Sequence, residues 1–204
     1  MLRNKLLLAT SNQGKLKEIK SFLGELSLEI FTLQELNIKE TFPERGKTFA
    51  ENARGKSLFY SKHWEGLTLA EDSGLEIEHL KGAPGVLSAR FSGPQATDEK
   101  NNQKVLELMK GVRSEQRQAR FVSCMILTQK GKIIKEIEET AEGLVASEKR
   151  GSCGFGYDPI FYYPPLGKTF AELSPEEKNR VSHRGQALKK LKEFLLEYFD
   201  SPRS

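Results

Sequence analysis

The chain has 204 residues, 29% of them charged, and a formal net charge of +4. This length suits one large domain or two small lobes. The basic excess is small and forms no stripe, which argues against a nucleic-acid partner. Two cysteines, Cys124 and Cys153, form no disulfide framework and fit a reducing compartment. No apolar run approaches the roughly 20 residues of a membrane-spanning helix, and no signal peptide is evident, so we expect a cytoplasmic protein that binds no membrane.

The first stretch, residues 6–20, predicts a strand, a polar loop and a helix. The loop consists of Thr10, Ser11, Asn12, Gln13, Gly14 and Lys15. Free backbone N–H groups and the helix dipole attract an anion to the start of a helix, and Lys15 adds a positive charge. The loop is therefore either a phosphate cradle or an ordinary helix cap by Ser11 or Asn12.

A strand, a polar loop and a second helix are predicted next. Residues 28–33 alternate as a strand does, and the broken polar segment 34–47 carries Glu44. A helix begins at Thr48, with Glu51 in a capping-box position, and it carries Lys56. Gly55 inside this helix either permits a close approach or simply weakens the helix.

Residues 67–80 carry two adjacent acids within an apolar segment. Residues 67–70 predict a buried strand, and residues 71–74 predict a tight interruption. A buried strand seldom carries charge without a partner or a metal, and sites collect at strand ends in α/β sheets. Asp72 therefore either binds Mg²⁺ or activates water, or it faces solvent in an Asp-Ser-Gly turn.

The middle of the chain predicts an irregular loop over 81–96, a packing helix over 97–110 capped by Thr97, and an antiparallel block. The block consists of a hairpin of strands 119–128 and 133–140, followed by a third strand at 141–147. We expect it to form a second lobe, roughly residues 115–150, within a single domain of residues 1–204. The ligand is expected in a cleft between the lobes.

Residues 151–165 are rich in glycine and aromatic residues. Glycines beside Phe155 either let its ring stack on a purine base or form a turn that packs on the core. A capping box at Ser174 and Glu177 starts a helix that contains Lys178. His183 and Arg184 follow at an interruption over 182–185, where they either donate to a base edge or lie on the surface. A second helix follows, and residues 200–204 are expected to fray.

One ligand would explain these stretches together: a nucleoside triphosphate with Mg²⁺. The loop 10–15, Lys56 and Lys178 suit the phosphates, and Phe155 suits the base. Glu44 and Asp72 suit a hard cation that prefers oxygen ligands. The chain lacks GxxxxGK[ST], so it is not a P-loop protein. It also lacks a Ser or Cys nucleophile in a recognisable arrangement with histidine, so no covalent intermediate is indicated.

Six ordered blocks resemble the inosine/xanthosine triphosphate pyrophosphatase family over almost the whole chain. They are ATSNQGKLKEI, GKTFAENA…K ending at Lys56, AEDSGLEI at 70–77, GAPGVLSARFSG at 82–93, GFGYDPIF at 154–161 and FAELSPEEKNRVSHRGQAL at 170–188. The resemblance implies an elongated α/β fold, with a mixed sheet flanked by helices, two lobes and a central nucleotide-binding cleft, and a homodimer. It also implies Mg²⁺-dependent hydrolysis of non-standard purine nucleoside triphosphates (ITP, dITP and XTP) to the monophosphate and pyrophosphate.

The resemblance also implies roles for individual residues. Glu44 and Asp72 match the metal-linked acids, and Asp72 the proton acceptor. The remaining matches are substrate contacts: Thr10 to Lys15 in the phosphate loop, Lys56, Ser73, the base-binding segment Phe155, Gly156, Tyr157 and Asp158, the substrate lysine Lys178, and the pair His183 and Arg184 beside the base. The chain departs from the family pattern at Gln13 and at Arg54-Gly55. The second departure puts the local helix packing in doubt.

Two other functions remain possible on the residues alone. One is a pyrophosphatase or phosphatase that acts on canonical or modified pyrimidine nucleotides, and product analysis separates pyrophosphate from phosphate release. The other is a sensor that binds a nucleotide without cleaving it. The acids at Glu44 and Asp72 argue against the sensor, because a pure binder needs no carboxylate that activates water.

Overall fold

The computed structural model describes residues 4–200 of the chain. Residues 1–3 and 201–204 lie outside the described part, and with them nearly all of the segment that was expected to fray. Within residues 4–200, no helix combines the length and apolar character needed to cross a membrane.

The described part of the chain contains one mixed sheet with the strand order β2-β1-β3-β4-β5-β6-β7. β1 runs parallel to both β2 and β3, whereas β6 is antiparallel to β5 and β7. The predicted mixed α/β sheet is confirmed. The strands are β1 Lys5–Leu8, β2 Glu29–Thr32, β3 Leu67–Ile77, β4 Gln118–Gln129, β5 Lys132–Val145, β6 Phe161–Tyr163 and β7 Lys168–Thr169.

Side-chain caps define where the helices begin. The helices of eight or more residues are α1 Gln13–Leu23, α2 Phe49–Tyr60, α3 Asp98–Leu108 and α5 His183–Asp200, and the short α4 is Pro175–Val181. Asn12, Thr48 and Thr97 each accept from the backbone N–H three residues ahead, at 3.0–3.2 Å. Ser174 forms the predicted capping box with Glu177. At Thr48 only half of the predicted box is present, because Glu51 accepts from the N–H of Lys47.

The predicted interruption at residues 71–74 is wrong, because β3 continues from Leu67 to Ile77. Gly74 serves a close approach rather than a turn. A Cβ atom at Gly74 would lie 2.2 Å from Oγ of Ser88, and the N–H of Leu75 donates to that oxygen at 3.0 Å. Glycine is common in turns, but at position 74 its missing side chain leaves room for Ser88 beside an unbroken strand.

The predicted third strand at 141–147 is also wrong, because most of it belongs to β5, which runs unbroken from Lys132 to Val145. The predicted break at residue 140 does not occur. Gly143 lies inside β5, where a Cβ atom would be 2.6 Å from Cζ of Phe161. The interruption predicted at 182–185 is shorter than expected, because α5 already begins at His183.

The chain divides into two compact units. The first consists of Met1–Asp72, Ser123–Glu139 and Gln186–Ser204, and the second of Ser73–Val122 and Thr140–Gly185. In the first unit, one core cluster contains Leu6, Leu8, Leu67 and Leu69 with apolar residues of α1 and α5. A separate cluster joins Leu7, Ala9 and Ala70 to Tyr60 of α2. The second unit has its own core, which includes Leu75, Ile77, Phe121, Phe161 and Phe170.

Candidate active site

Strand alternation places the two acids of β3 on opposite faces of the sheet in the first unit. Leu67 and Leu69 pack in the cluster of α1 and α5, whereas Ala70 packs in the cluster of α2. Successive side chains of a strand point to opposite faces. Glu71 therefore lies on the face of α1 and Asp72 on the face of α2.

Glu71 is the more deeply buried of the two acids, with 1% of its surface exposed. Its carboxylate accepts a hydrogen bond from Oγ of Ser123 at 2.8 Å, and it lies 3.9 Å from Nζ of Lys15. Lys15, in the first turn of α1, is thus held by a buried carboxylate. The sequence pattern predicts no role for Glu71, although its position beside Asp72 in an apolar strand is a usable signal.

Asp72 is also buried, with 8% of its surface exposed. Nδ2 of Asn52 donates to its carboxylate at 2.9 Å. Burial raises the pKa of Asp72, Lys15 and Lys56 act to lower it, and Glu44 acts to raise it. Asn52 was missed in the sequence, but it lies four residues before Lys56 and so on the same face of α2.

Lys56 connects α2 to the loop that carries Glu44. The two side chains form an ion pair, and Nζ of Lys56 donates to the backbone oxygen of Glu71 at 3.3 Å. A Cβ atom at Gly55 would lie 2.4 Å from Cζ of Phe42. Gly55 therefore permits a close approach of this loop to the helix, which was one of its two predicted explanations.

The loop at residues 10–15 contains an ordinary helix cap. Oδ1 of Asn12 accepts from the N–H of Lys15, so Asn12, rather than Ser11, is the capping residue. The N–H of Asn12 donates to Oγ1 of Thr10 at 3.2 Å. Ser11, Asn12 and Gln13 are exposed, and Thr10 and Gly14 are half-buried. A cap does not exclude an anion beside it, so the phosphate role of the loop stays a prediction.

Two carboxylates, Glu44 and Asp72, could hold a divalent cation. Among residues 4–200, no group of three or more His, Cys, Asp and Glu side chains has the arrangement of a metal site. Mg²⁺ usually takes one or two carboxylates and completes its shell with water and substrate phosphates. Glu44 is paired with Lys56 in this structure, and the binding of Mg²⁺ by Glu44 and Asp72 stays a prediction.

In the second unit, two cations surround the ring of Phe155. Nζ of Lys178 lies 5.1 Å from the ring centroid, and the guanidinium carbon of Arg184 lies 5.3 Å from it. Lys178 is buried and bonded to Oδ2 of Asp158 at 2.5 Å. The same oxygen accepts from the N–H of Phe155 at 2.9 Å. Asp158 thus fixes both the lysine and the loop backbone.

Arg184 is 3% exposed, and its Nη2 donates to Oγ of Ser73 at 2.9 Å. The side chains of the predicted pair His183 and Arg184 have different surroundings. The ring of His183 stacks on Phe121 within the core, with centroids 4.6 Å apart. Arg184 lies beside Phe155 instead.

Tyr157 anchors the loop through its hydroxyl. It is buried, and its hydroxyl donates to the backbone oxygen of Ser88 at 2.8 Å. Burial, with a smaller contribution from Asp98, raises the pKa of this hydroxyl, so it stays protonated.

The predicted site residues thus fall into two groups. In the first unit, the charges of Lys15 in α1, Lys56 in α2 and Glu44 in the loop before α2 all act on Asp72 in β3. In the second unit, Ser73, Phe155, Asp158, Lys178 and Arg184 come together around one aromatic ring. Each group combines cations with buried carboxylates, which is an arrangement typical of a site for a polyanion.

This α/β fold with buried lysines and acids defines a protein that can bind a phosphorylated ligand. The Ham1 family model matches residues 6–194, and the chain belongs to this family, which confirms the predicted resemblance. The dITP/XTP pyrophosphatase of Caldanaerobacter subterraneus is 46% identical over 197 residues, which cover 96% of this chain and 97% of that protein. The Bacillus subtilis dITP/XTP pyrophosphatase is 44% identical over 189 residues, covering 93% and 96%. A solved HAM1 protein from Coxiella burnetii superposes with a TM-score of 0.85 at 41% identity, covering 97% of this chain and all of that one.

Proposed function

We propose that the protein hydrolyses the non-standard purine nucleoside triphosphates ITP, dITP and XTP to the monophosphate and pyrophosphate, which keeps them out of DNA and RNA. The observation that carries this proposal is the buried middle of β3, where Asp72 lies within the electrostatic reach of Lys15, Lys56 and Glu44. The names of the relatives, dITP/XTP pyrophosphatase, support the same reaction.

The chemistry follows from the charges in the first unit. Lys15 and Lys56 neutralise the phosphates and so favour departure of pyrophosphate. Asp72 accepts a proton from the water that attacks the α-phosphorus. Mg²⁺, when held by Glu44 and Asp72 with the nucleotide, supplies further stabilisation of the phosphate charge.

Base selection belongs to the residues around Phe155. The base stacks on this ring, and Arg184 or nearby backbone N–H groups donate to the 6-keto oxygen of hypoxanthine or xanthine. The 6-amino group of adenine leaves these donors unpaired, which costs about 1–3 kcal/mol for each buried donor. The arrangement of Arg184 beside the Phe155 ring, 5.3 Å from its centroid, supports this assignment.

We further propose a homodimer that acts in the cytoplasm, where nucleoside triphosphates are abundant. The two cysteines without a disulfide framework fit such a compartment. Analytical ultracentrifugation tests the assembly: a particle of twice the chain mass at micromolar concentration supports the dimer, and a particle of the chain mass contradicts it.

Product analysis tests the reaction. ITP is incubated with the protein and Mg²⁺, and inosine monophosphate, pyrophosphate and orthophosphate are each quantified. We expect equal amounts of monophosphate and pyrophosphate, and loss of turnover when a chelator removes the metal. Orthophosphate as the direct product would contradict the proposed bond cleavage. Tight ITP binding without any product would favour the nucleotide sensor instead.

A further inference from the structure

Helix α3, which received only a packing role from its sequence, binds both backbone polar groups of one residue in the loop 154–158. Oδ2 of Asp98 accepts a hydrogen bond from the N–H of Gly156 at 2.7 Å. Nδ2 of Asn102, one turn later on the same helix, donates to the carbonyl oxygen of Gly156 at 2.8 Å. All three residues belong to the second unit.

Side-chain packing does not hold Gly156 in place. Its φ is +63°, in the left-handed region, and a Cβ atom there would meet no atom within 4 Å. The residues around it are held by other contacts: Phe155 by its backbone N–H to Asp158, and Tyr157 by its hydroxyl to Ser88. The position of the loop centre therefore depends on the two hydrogen bonds from α3.

Helix α3 is itself a firm support. Val105 and Met109 are fully buried at its core face and just beyond its end. Nδ2 of Asn101 donates to the backbone oxygen of Ser88 at 3.2 Å, and its Oδ1 accepts from the N–H of Ser92 at 2.8 Å. Asn102 is 2% exposed. A buried amide side chain that donates hydrogen bonds to backbone oxygens fixes the local geometry, because breaking those hydrogen bonds in the interior costs free energy.

We propose that Asp98 and Asn102 are positioning residues that set base selectivity by holding Gly156, and with it Phe155, in the geometry that reads the base. They do so without touching the nucleotide. This inference rests on the proposed function, because it assigns the base to the Phe155 loop. The phosphate chemistry is carried by Lys15, Lys56 and Asp72 in the first unit. The predicted substrate lysine Lys178 is held by Asp158 and not by Gly156, so phosphate binding does not depend on this clamp.

The clamp is weakened with Asp98→Ala, Asn102→Ala and Asn102→Asp. The last variant keeps the side-chain shape but turns the Nδ2 donor into an oxygen that faces carbonyl oxygens. Asp98→Asn keeps an acceptor for the N–H of Gly156 and is expected to restore most of the loss. Glu99→Ala removes an exposed charge from the same first turn of α3 and serves as the matched control.

The readouts are the ratio of kcat/KM for ITP over ATP, the Kd of pyrophosphate, and the melting temperature. We expect the ratio to fall about tenfold in Asp98→Ala and Asn102→Ala, mainly through KM for ITP. The Kd of pyrophosphate, which has no base, stays within twofold of the parent value, as does the ratio in Glu99→Ala. A general loss of structure would instead weaken ITP and pyrophosphate equally, and that result would overturn the proposal.

Hydrogen exchange of the amides in residues 154–158 tests the clamp without any substrate. We expect faster exchange there in Asp98→Ala and Asn102→Ala, and parental exchange in Glu99→Ala. Unchanged exchange would overturn the clamp. Faster exchange with an unchanged ITP/ATP ratio would overturn its role in selectivity. If the parent protein cleaves no ITP, the proposed function fails, and the exchange result separately decides whether α3 holds the loop.

Discussion

At the scale of single residues, the neighbouring acids Glu71 and Asp72 have different surroundings. The carboxylate of Glu71 accepts from Ser123 and lies near Lys15, so its charge holds a lysine in place. Asp72 accepts from Asn52, yet burial remains the largest influence on its pKa and raises it. The surroundings of Asp72 stabilise its negative charge only in part. Such a carboxylate is suited to take up a proton during the reaction.

Asp72→Asn is expected to lower kcat for ITP about 1,000-fold, because it removes the general base. The fold is retained. In the folded protein the raised pKa means that the ionised carboxylate is disfavoured, so its charge costs stability once the pH exceeds the unfolded pKa of about 3.9. The variant should therefore melt at or above the parent temperature at pH 7 in the presence of a chelator.

Steady-state kinetics and thermal unfolding check this prediction, with Glu65→Gln as a control at an exposed acid. The control should match the parent in both measurements. A nearly normal kcat in Asp72→Asn would rule out the role proposed for Asp72.

Cys124 is a core residue, as its apolar neighbours predicted, and its thiol donates to Glu138 at 3.0 Å. Burial, followed by this hydrogen bond, raises the pKa of the thiol. The unfolded thiol loses its proton near pH 8.5 while the folded thiol keeps its own, so this group's contribution to stability is present below that pH and declines above it.

Cys124→Ser removes the titration and keeps a donor to Glu138. The difference in unfolding free energy between parent and variant should therefore shift in favour of the variant from pH 8 to pH 10. Denaturant unfolding at several pH values measures it. A difference that is independent of pH would show that the folded thiol ionises normally.

At the scale of elements, local signals were sufficient for helix starts and strand patterns. Asn12, Thr97 and Ser174 cap the predicted helices because a cap depends on side chains within three or four residues. The strand β1 at residues 5–8 follows from one apolar run.

Long-range contacts explain what the sequence did not reveal. Gly74 resembles a turn residue, and only Ser88, fourteen positions later, shows that the glycine makes room inside a strand. Glu71 meets Ser123 across 52 positions. Asp98 and Gly156 are 58 positions apart. No local pattern encodes such partners, so the roles of Glu71, Asn52 and Asp98 emerge only from the fold.

Gly154→Ala is expected to displace the loop 154–158, because a Cβ atom at Gly154 would lie 2.0 Å from Oδ2 of Asp158 at a φ of +77°. That oxygen holds Phe155 and Lys178. KM for ITP should rise about tenfold or more, since the clash disturbs a charge-assisted hydrogen bond.

Gly131→Ala is the matched control for this kinetic measurement. Gly131 has a similar φ of +74°, and a Cβ atom there would meet nothing within 4 Å. The control should lose about 1–2 kcal/mol of stability from the left-handed backbone and keep its KM. Equal KM values in the two variants would contradict the role of Asp158.

At the scale of the whole molecule, the residues proposed for phosphate chemistry and for base reading belong to different compact units. Lys15, Lys56 and Asp72 belong to the first, and Phe155 and Arg184 to the second. The relatives match more than nine-tenths of this chain, so both sets of residues lie within the shared length. Substitutions in the first unit should therefore affect the reaction, and substitutions in the second unit should affect selectivity.

The ratio of kcat/KM for ITP over ATP, GTP and dUTP, measured by pyrophosphate release with Mg²⁺, tests the central claim most directly. We expect ITP, dITP and XTP to exceed ATP, because adenine lacks the 6-keto oxygen and leaves buried donors unpaired, and to exceed dUTP, because uracil offers a smaller ring for stacking on Phe155. GTP shares the 6-keto oxygen, so a lower value for GTP would show that the site also distinguishes purines at another position. Equal values for all six nucleotides would leave the phosphate chemistry in place and contradict the selection of non-standard purines.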